Sequence, residues 1–311
     1  MSDKSGIAWT NATWNPVTGC TKVSSGCKNC YAEREWPRLA ANKRSVSYFG
    51  RAFTDVAYHE DRLDQPLRWS KPRLIFVNSM SDLFHEDVPD EFIDKVFAVM
   101  ALAKQHTFQV LTKRPERMRD YLNTKNRINM IGDVAMPQVS PNNYGVLEWP
   151  IPNIWLGVSI EDQDAADSRI PLLLETPAAV RWVSAEPLLG RVELGFAMPW
   201  RLNGAALNRT LDWVVCGGES GPHARPMHID WVDKLKYDCE KSGVPFFIKQ
   251  LGAAFVDEKN GIAGAGLKVD ADVACMVSKR LKNRSGADMC EWPEYLMGSR
   301  EWPLNLSLWT T

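Results

Sequence analysis

Continuous apolar runs alternate with amphipathic stretches along most of this chain. Residues 73–78, Arg73-Leu74-Ile75-Phe76-Val77-Asn78, hold an unbroken apolar core that closes on a polar residue, the pattern of a strand buried on both faces. Residues 108–112, 154–159, 180–184, 211–216 and 245–249 read the same way. Between the first two runs, Ile93, Val96, Phe97 and Met100 fall at i, i+3, i+4 and i+7 and form one apolar stripe of a helix. Asp87 is placed to cap that helix, Pro89 to enter its first turn, and Asp90 and Glu91 to meet its positive end. Residues 162–174 and 229–242 also predict helices, the second stopped by Gly243. Six buried strands with helices between them predict an α/β fold with a parallel sheet. No glycine-rich dinucleotide fingerprint follows the first strand, so the pattern favours a partial or complete (β/α) TIM-like barrel over a doubly wound sheet.

Length and composition fit that reading. At 311 residues and 45% hydrophobic content the chain can bury a large core. The expected organisation is a barrel over residues 1–251 with loop insertions at 123–153 and 190–210, and an appendage at 252–311. That appendage carries a glycine-rich run at 261–266 and a basic run, Lys279-Arg280-Leu281-Lys282-Asn283-Arg284. A net charge of −1 excludes a global basic field, so any contact with nucleic acid must come from a local patch. No run approaches 18 apolar residues and the N-terminus has no apolar signal core, so no membrane association and a cytoplasmic location are expected.

The chemistry concentrates in three cysteines. Cys20, Cys27 and Cys30 form a C-x6-C-x2-C group on one loop, Trp14-Asn15-Pro16-Val17-Thr18-Gly19-Cys20 followed by Ser24-Ser25-Gly26-Cys27-Lys28-Asn29-Cys30-Tyr31. Three thiolates leave two readings open. A structural zinc needs a fourth ligand, such as Cys216 or a histidine. A [4Fe–4S] cluster held by three thiolates leaves one iron open for chemistry. In barrels the chemistry sits at the C-terminal ends of strands. Those ends here are polar: Asn78-Ser79-Met80-Ser81-Asp82, Thr112-Lys113-Arg114, Ser159-Ile160-Glu161, Ser184-Ala185-Glu186, Cys216-Gly217-Gly218-Glu219 and Lys249-Gln250.

The cysteine run and these strand-end motifs, with Leu111-Thr112-Lys113-Arg114-Pro115, Gly217-Gly218-Glu219-Ser220-Gly221 and Glu291-Trp292-Pro293-Glu294, resemble a phage-associated three-cysteine family. That family is described as a domain of unknown function and is related to the radical S-adenosylmethionine (SAM) enzymes. Two features depart from the usual radical SAM pattern. The first cysteine gap is longer than three residues, and Asn29 stands where an aromatic residue is usual, with Tyr31 on the other side of Cys30. The resemblance implies that Cys20, Cys27 and Cys30 hold a [4Fe–4S] cluster and that SAM chelates its open iron. It implies a SAM side formed by Tyr31, Asn78, Ser79, Ser81, Asp82, Ser159, Glu161 and Glu186. Asn78, Ser79, Ser81 and Asp82 would face the SAM amino group, and Ser159 and Glu161 its ribose. Glu219, Lys249 and Cys216 would serve catalysis, with Cys216 a candidate to quench a substrate radical. Lys113, Arg114, His223 and Arg225 would hold an anionic substrate. The implied activity is reductive cleavage of SAM and hydrogen abstraction by a 5′-deoxyadenosyl radical. Its implied setting is hypermodification of thymidine in phage DNA, such as isomerisation of an amino-acid adduct, in the host cytoplasm. A flavodoxin- or ferredoxin-type electron donor is the implied partner. The alternatives are a radical SAM enzyme acting on a small molecule or peptide, and a zinc-stabilised nucleic-acid-binding module.

Overall fold

The structure, a computed structural model, describes residues 5–135, 147–197, 210–266 and 279–303. Cys275 and most of the expected insertion at 190–210 lie outside the described residues. The chain divides into two compact units, Met1–Val158 with Glu175–Arg181, and Ser159–Leu174 with Trp182–Thr311.

The first unit is built on parallel strands in the order β1 (Ala12–Trp14), β4 (Leu74–Val77), β5 (Thr107–Thr112) and β6 (Ile154–Ile160). Before β4 come the short antiparallel pair β2 (Val17–Thr18) and β3 (Ala57–Tyr58), and helix α1 (Tyr31–Ala40). Helix α2 (Asp90–Leu102) connects β4 to β5, and α3 (Pro115–Asn123) and α4 (Arg127–Ala135) follow β5. All seven residues of β6 are buried, which is why the strand reads as a continuous apolar run. Helix α2 buries Ile93, Val96, Phe97 and Met100, as its stripe predicts. Its cap differs from expectation: Pro89 is the extended N-cap residue, and the Asp87 N–H donates to His85 Nδ1 at 3.2 Å. A proline N-cap lacks only an N–H that the helix would leave unpaired. Two other departures are β1, whose three residues are too short to show a period, and α4, which lies inside the stretch read as a loop.

The second unit repeats the plan. Helix α5 (Gln163–Glu175) precedes β7 (Val180–Ala185), and β7, β8 (Trp213–Gly217) and β10 (Phe246–Gln250) are parallel neighbours. Helix α6 (Ile229–Ser242) crosses from β8 to β10 and ends at Gly243, whose φ of 67° is the left-handed cap expected from the sequence. A smaller sheet orders β13 (Lys279–Arg280), β12 (Ile262–Ala263), β11 (Phe255–Asp257) and β9 (Met227–His228). Returning chain lies along β10, with the Ile248 N–H donating to the Ser299 carbonyl at 2.8 Å. The fold is therefore α/β, with parallel strands kept in chain order, the plan of a partial TIM-like barrel.

Candidate active site

In the first unit the loop that carries the cysteines is bound to the ends of β4 and β5. Gly19 starts it in a left-handed conformation, φ 91°, against the Asp55 carbonyl, where a Cβ would collide with backbone. The Gly19 N–H donates to the Met80 carbonyl at 3.2 Å, and Ser81 Oγ donates to the Val17 carbonyl at 2.8 Å. Asn15 Oδ1 accepts from Ser79 Oγ at 3.2 Å and from the Met80 N–H at 3.0 Å. The Tyr31 hydroxyl, at the start of α1, donates to the Ser79 carbonyl. Asn78 adopts a φ of 61° and its Oδ1 accepts the Val17 N–H at 3.2 Å. Its Nδ2 is buried and finds no acceptor among the described residues, a costly state for a donor unless a ligand completes it.

Asp82 and Arg114 form the centre of this arrangement. Asp82 accepts the Thr112 hydroxyl at 2.7 Å and the backbone N–H groups of Phe84 and Lys113, both at 3.0 Å. It also pairs with Arg114 Nη1 at 3.3 Å. The same guanidinium reaches Cys20 Sγ at 3.7 Å, Thr21 Oγ1 at 2.8 Å and Glu86 Oε2 at 2.9 Å. His85, fully buried, lies 2.8 Å from Thr21 Oγ1 through Nε2. Its Nδ1 accepts a backbone N–H, so Nε2 is the protonated nitrogen that donates. Burial, with Arg114 nearby, holds the His85 imidazole below its usual range, which favours that neutral form. Burial and the Asp82 charge push the Cys20 thiol up to about 11, against the opposing pull of Arg114.

The three cysteines are free thiols and partly exposed. Cys27 ends a single 3-10 turn, Ser25–Cys27, and Cys30 is the N-cap residue of α1, near the positive end of that helix. Among the described residues no three His, Cys, Asp or Glu side chains gather at the spacing of one metal ion's ligands. An iron–sulfur cubane takes each thiolate on a different iron and does not need that convergence. Three soft thiolates on one anchored loop, at a helix N-terminus and beside a guanidinium, fit such a cluster.

In the second unit the strand ends hold acid–base pairs. Glu161, 1% exposed, pairs with Arg169 at 2.9 Å, and Arg169 also donates to the Ser159 carbonyl at 2.7 Å. Glu186 pairs with Lys249 Nζ at 2.8 Å and accepts the Ser184 hydroxyl at 3.3 Å. A Cβ on Gly217 would meet Glu186 Oε1 at 2.7 Å, so glycine there makes room for this carboxylate. Glu219 accepts the Arg225 N–H at 2.9 Å and forms an ion pair with its guanidinium. His223 is exposed on the same turn, and Gln250 Nε2 donates to the Gly218 carbonyl at 2.8 Å. Cys216 is fully buried, and burial with the Glu186 charge keeps its thiol protonated.

The structure thus gathers Cys20, Cys27, Cys30, Tyr31, Asn78, Ser79, Ser81, Asp82 and Arg114 in the first unit. It joins Ser159 to Glu161 through Arg169, and Glu186 to Lys249, in the second. Lys113 is half-buried and contributes its backbone N–H to Asp82. The sequence reading missed Asn15, Thr21, Glu86 and Arg169. Asn15 and Thr21 flank the cysteine motif, which is a usable signal; Arg169 is one more arginine on a helix and gives none.

A comparison with curated proteins gives no match. Among solved structures, the chain is similar to a cysteine-to-serine mutant of spore photoproduct lyase, with 11% identity and a TM-score of 0.39. That likeness covers 78% of this chain and 64% of the other, less than two thirds of its length. A family model described as "Protein of unknown function (DUF5131)" matches residues 4–290. A match over that much of the chain shows membership: this protein belongs to the DUF5131 family.

Proposed function

We propose that this protein is a radical SAM enzyme whose [4Fe–4S] cluster is held by Cys20, Cys27 and Cys30. The observation that carries the reading is three free thiols on one loop that is hydrogen-bonded to the ends of two parallel strands. Bound there, the cluster and SAM supply one-electron cleavage of SAM and hydrogen abstraction from an unactivated carbon. The chain's own residues orient and shield. Asn78 Nδ2 is a buried donor without an acceptor among the described residues, and it suits an anionic oxygen such as the SAM carboxylate. Ser79, Ser81 and Tyr31 keep the loop and the β4 end in register. On the substrate side, the Glu186–Lys249 pair suits proton handling, and Glu219 holds Arg225 in place to meet an anion. Cys216 keeps its S–H, the form from which a hydrogen atom can be returned to a substrate radical.

The proposed substrate is a nucleic-acid base, thymine with an amino-acid adduct in phage DNA, and the proposed electron donor is of flavodoxin or ferredoxin type. Exposed Arg280, Lys282 and Arg284 alternate with buried Leu281 and half-buried Asn283, a row suited to phosphates. Their loop is tied to the β10 end by the Gly252 N–H to the Ser285 carbonyl at 3.0 Å and the Leu251 N–H to the Gly286 carbonyl at 2.9 Å.

Electron paramagnetic resonance of anaerobically reconstituted, reduced protein tests the reading. A cluster signal that changes on adding SAM, and that is missing from Cys27→Ala, is expected. A signal indifferent to SAM, or zinc as the only metal bound after anaerobic purification, contradicts it. For the substrate, incubation with SAM, reductant and modified duplex DNA should change the nucleoside profile. An unchanged profile on every DNA and nucleotide offered would overturn the base-modifying part.

A further inference from the structure

We propose that Arg114 is a positioning residue for the cluster: its guanidinium donates to the Cys20 sulfur and thereby sets how readily the cluster accepts an electron. This rests on the radical SAM reading above. Arg114 is 9% exposed, and its donors are spread over groups from three places in the sequence. Nη1 reaches both Cys20 Sγ at 3.7 Å and Asp82 Oδ2 at 3.3 Å. Nη2 donates to Thr21 Oγ1 at 2.8 Å and to the Thr21 carbonyl at 3.3 Å, while Nε donates to Glu86 at 2.9 Å. Only a planar fork with five donors can serve these partners together; a lysine ammonium cannot.

The position matters for redox chemistry. One-electron reduction adds a negative charge that is shared by the cluster and its thiolates. Hydrogen bonds to those sulfurs and nearby net charge are what set a cluster's potential. Asp82 is a buried carboxylate whose Oδ2 meets the same Nη1 that reaches Cys20 Sγ. Arg114 lies between the two, so it both donates to the sulfur and offsets the carboxylate. Replacing it with a neutral, shorter side chain removes the charged donor and leaves the Asp82 charge without its cation. Both changes disfavour the reduced cluster.

Redox titration of reconstituted protein, followed by the resonance signal of the reduced cluster, tests this. Arg114→Gln should be reduced at a more negative potential than wild type. Arg114→Lys, which keeps the charge and loses the fork, should fall between them. Thr21→Val, which removes a partner of Arg114 and leaves the cation, should stay close to wild type. An Arg114→Gln potential equal to wild type, with an unchanged circular-dichroism spectrum, overturns the proposal. Should Arg114→Gln fail to fold, Arg114→Lys decides: a downward shift supports the proposal and an unchanged potential overturns it. Absence of any cluster in wild type refutes the radical SAM reading itself, and this inference with it.

Discussion

The strand ends of the two units are equally polar and use their polarity differently. In the first unit, Asp82, Asn15, Ser79, Ser81 and Arg114 are consumed by internal hydrogen bonds that hold one loop in place. In the second, Glu186–Lys249 and Glu219–Arg225 are ion pairs in which Glu186, Lys249 and Arg225 are partly exposed. A saturated network is rigid because losing any member leaves a buried group unpaired. An ion pair with partly exposed members can exchange a partner for water or a ligand at lower cost. The first arrangement suits a fixed cofactor, and the second suits a substrate that comes and goes.

Substitutions can break that contrast. The largest effect is expected at the loop itself: Cys20→Ala, Cys27→Ala or Cys30→Ala should abolish iron binding after anaerobic reconstitution, read as iron and sulfide per chain. Gly19→Ala should do nearly the same without removing a ligand, because its φ of 91° and the Asp55 carbonyl leave no place for a Cβ. Retention of a full cluster by Gly19→Ala would show that the loop is not held as described.

Next comes Asp82→Ala. It removes the buried one of Arg114's two carboxylate partners and unpairs two backbone N–H groups, so a loss of about 3–5 kcal/mol is expected in denaturant unfolding. Lys249→Met and Glu186→Gln should cost much less stability and about 10²-fold or more in turnover. A reversed order, with Asp82→Ala harmless and Lys249→Met unfolding the protein, would dissolve the distinction between the two rims.

The smallest effect is a pH dependence. Burial, with Arg62 and Arg51, lowers the His59 imidazole to about 4, from an ordinary 6.5. A group that is harder to protonate when folded contributes its full stability above pH 6.5. That contribution falls as the pH drops from 6.5 to about 4, and is constant below. Wild type should therefore lose stability relative to His59→Gln across that window. A difference between them that is flat from pH 7 to 4 would contradict the assignment.

Much of the fold was legible because parallel strands are buried on both faces and announce themselves as apolar runs. All six expected strands are present, and so is the stripe of α2. What failed to show was short or polar. β1 has three residues, and α4 begins in an Asn-rich stretch where Ile131 and Ala135 supply its buried face. At the site, residue type pointed to the right places but not to the bonding. Nothing in Ser79-Met80-Ser81 reveals that these residues clasp the start of the cysteine loop, because their partners Asn15 and Val17 lie 64 or 65 residues away in sequence. Arg114, by type alone, read as an anion contact; its partners Cys20, Thr21, Asp82 and Glu86 become visible only in three dimensions.

The central claim is that the Cys20–Cys27–Cys30 loop supports reductive cleavage of SAM. The direct measurement is 5′-deoxyadenosine formed by anaerobically reconstituted protein with dithionite and SAM, beside Cys27→Ala. The account predicts product from wild type and none from the variant. A wild-type protein carrying a full cluster and yielding no 5′-deoxyadenosine would contradict it.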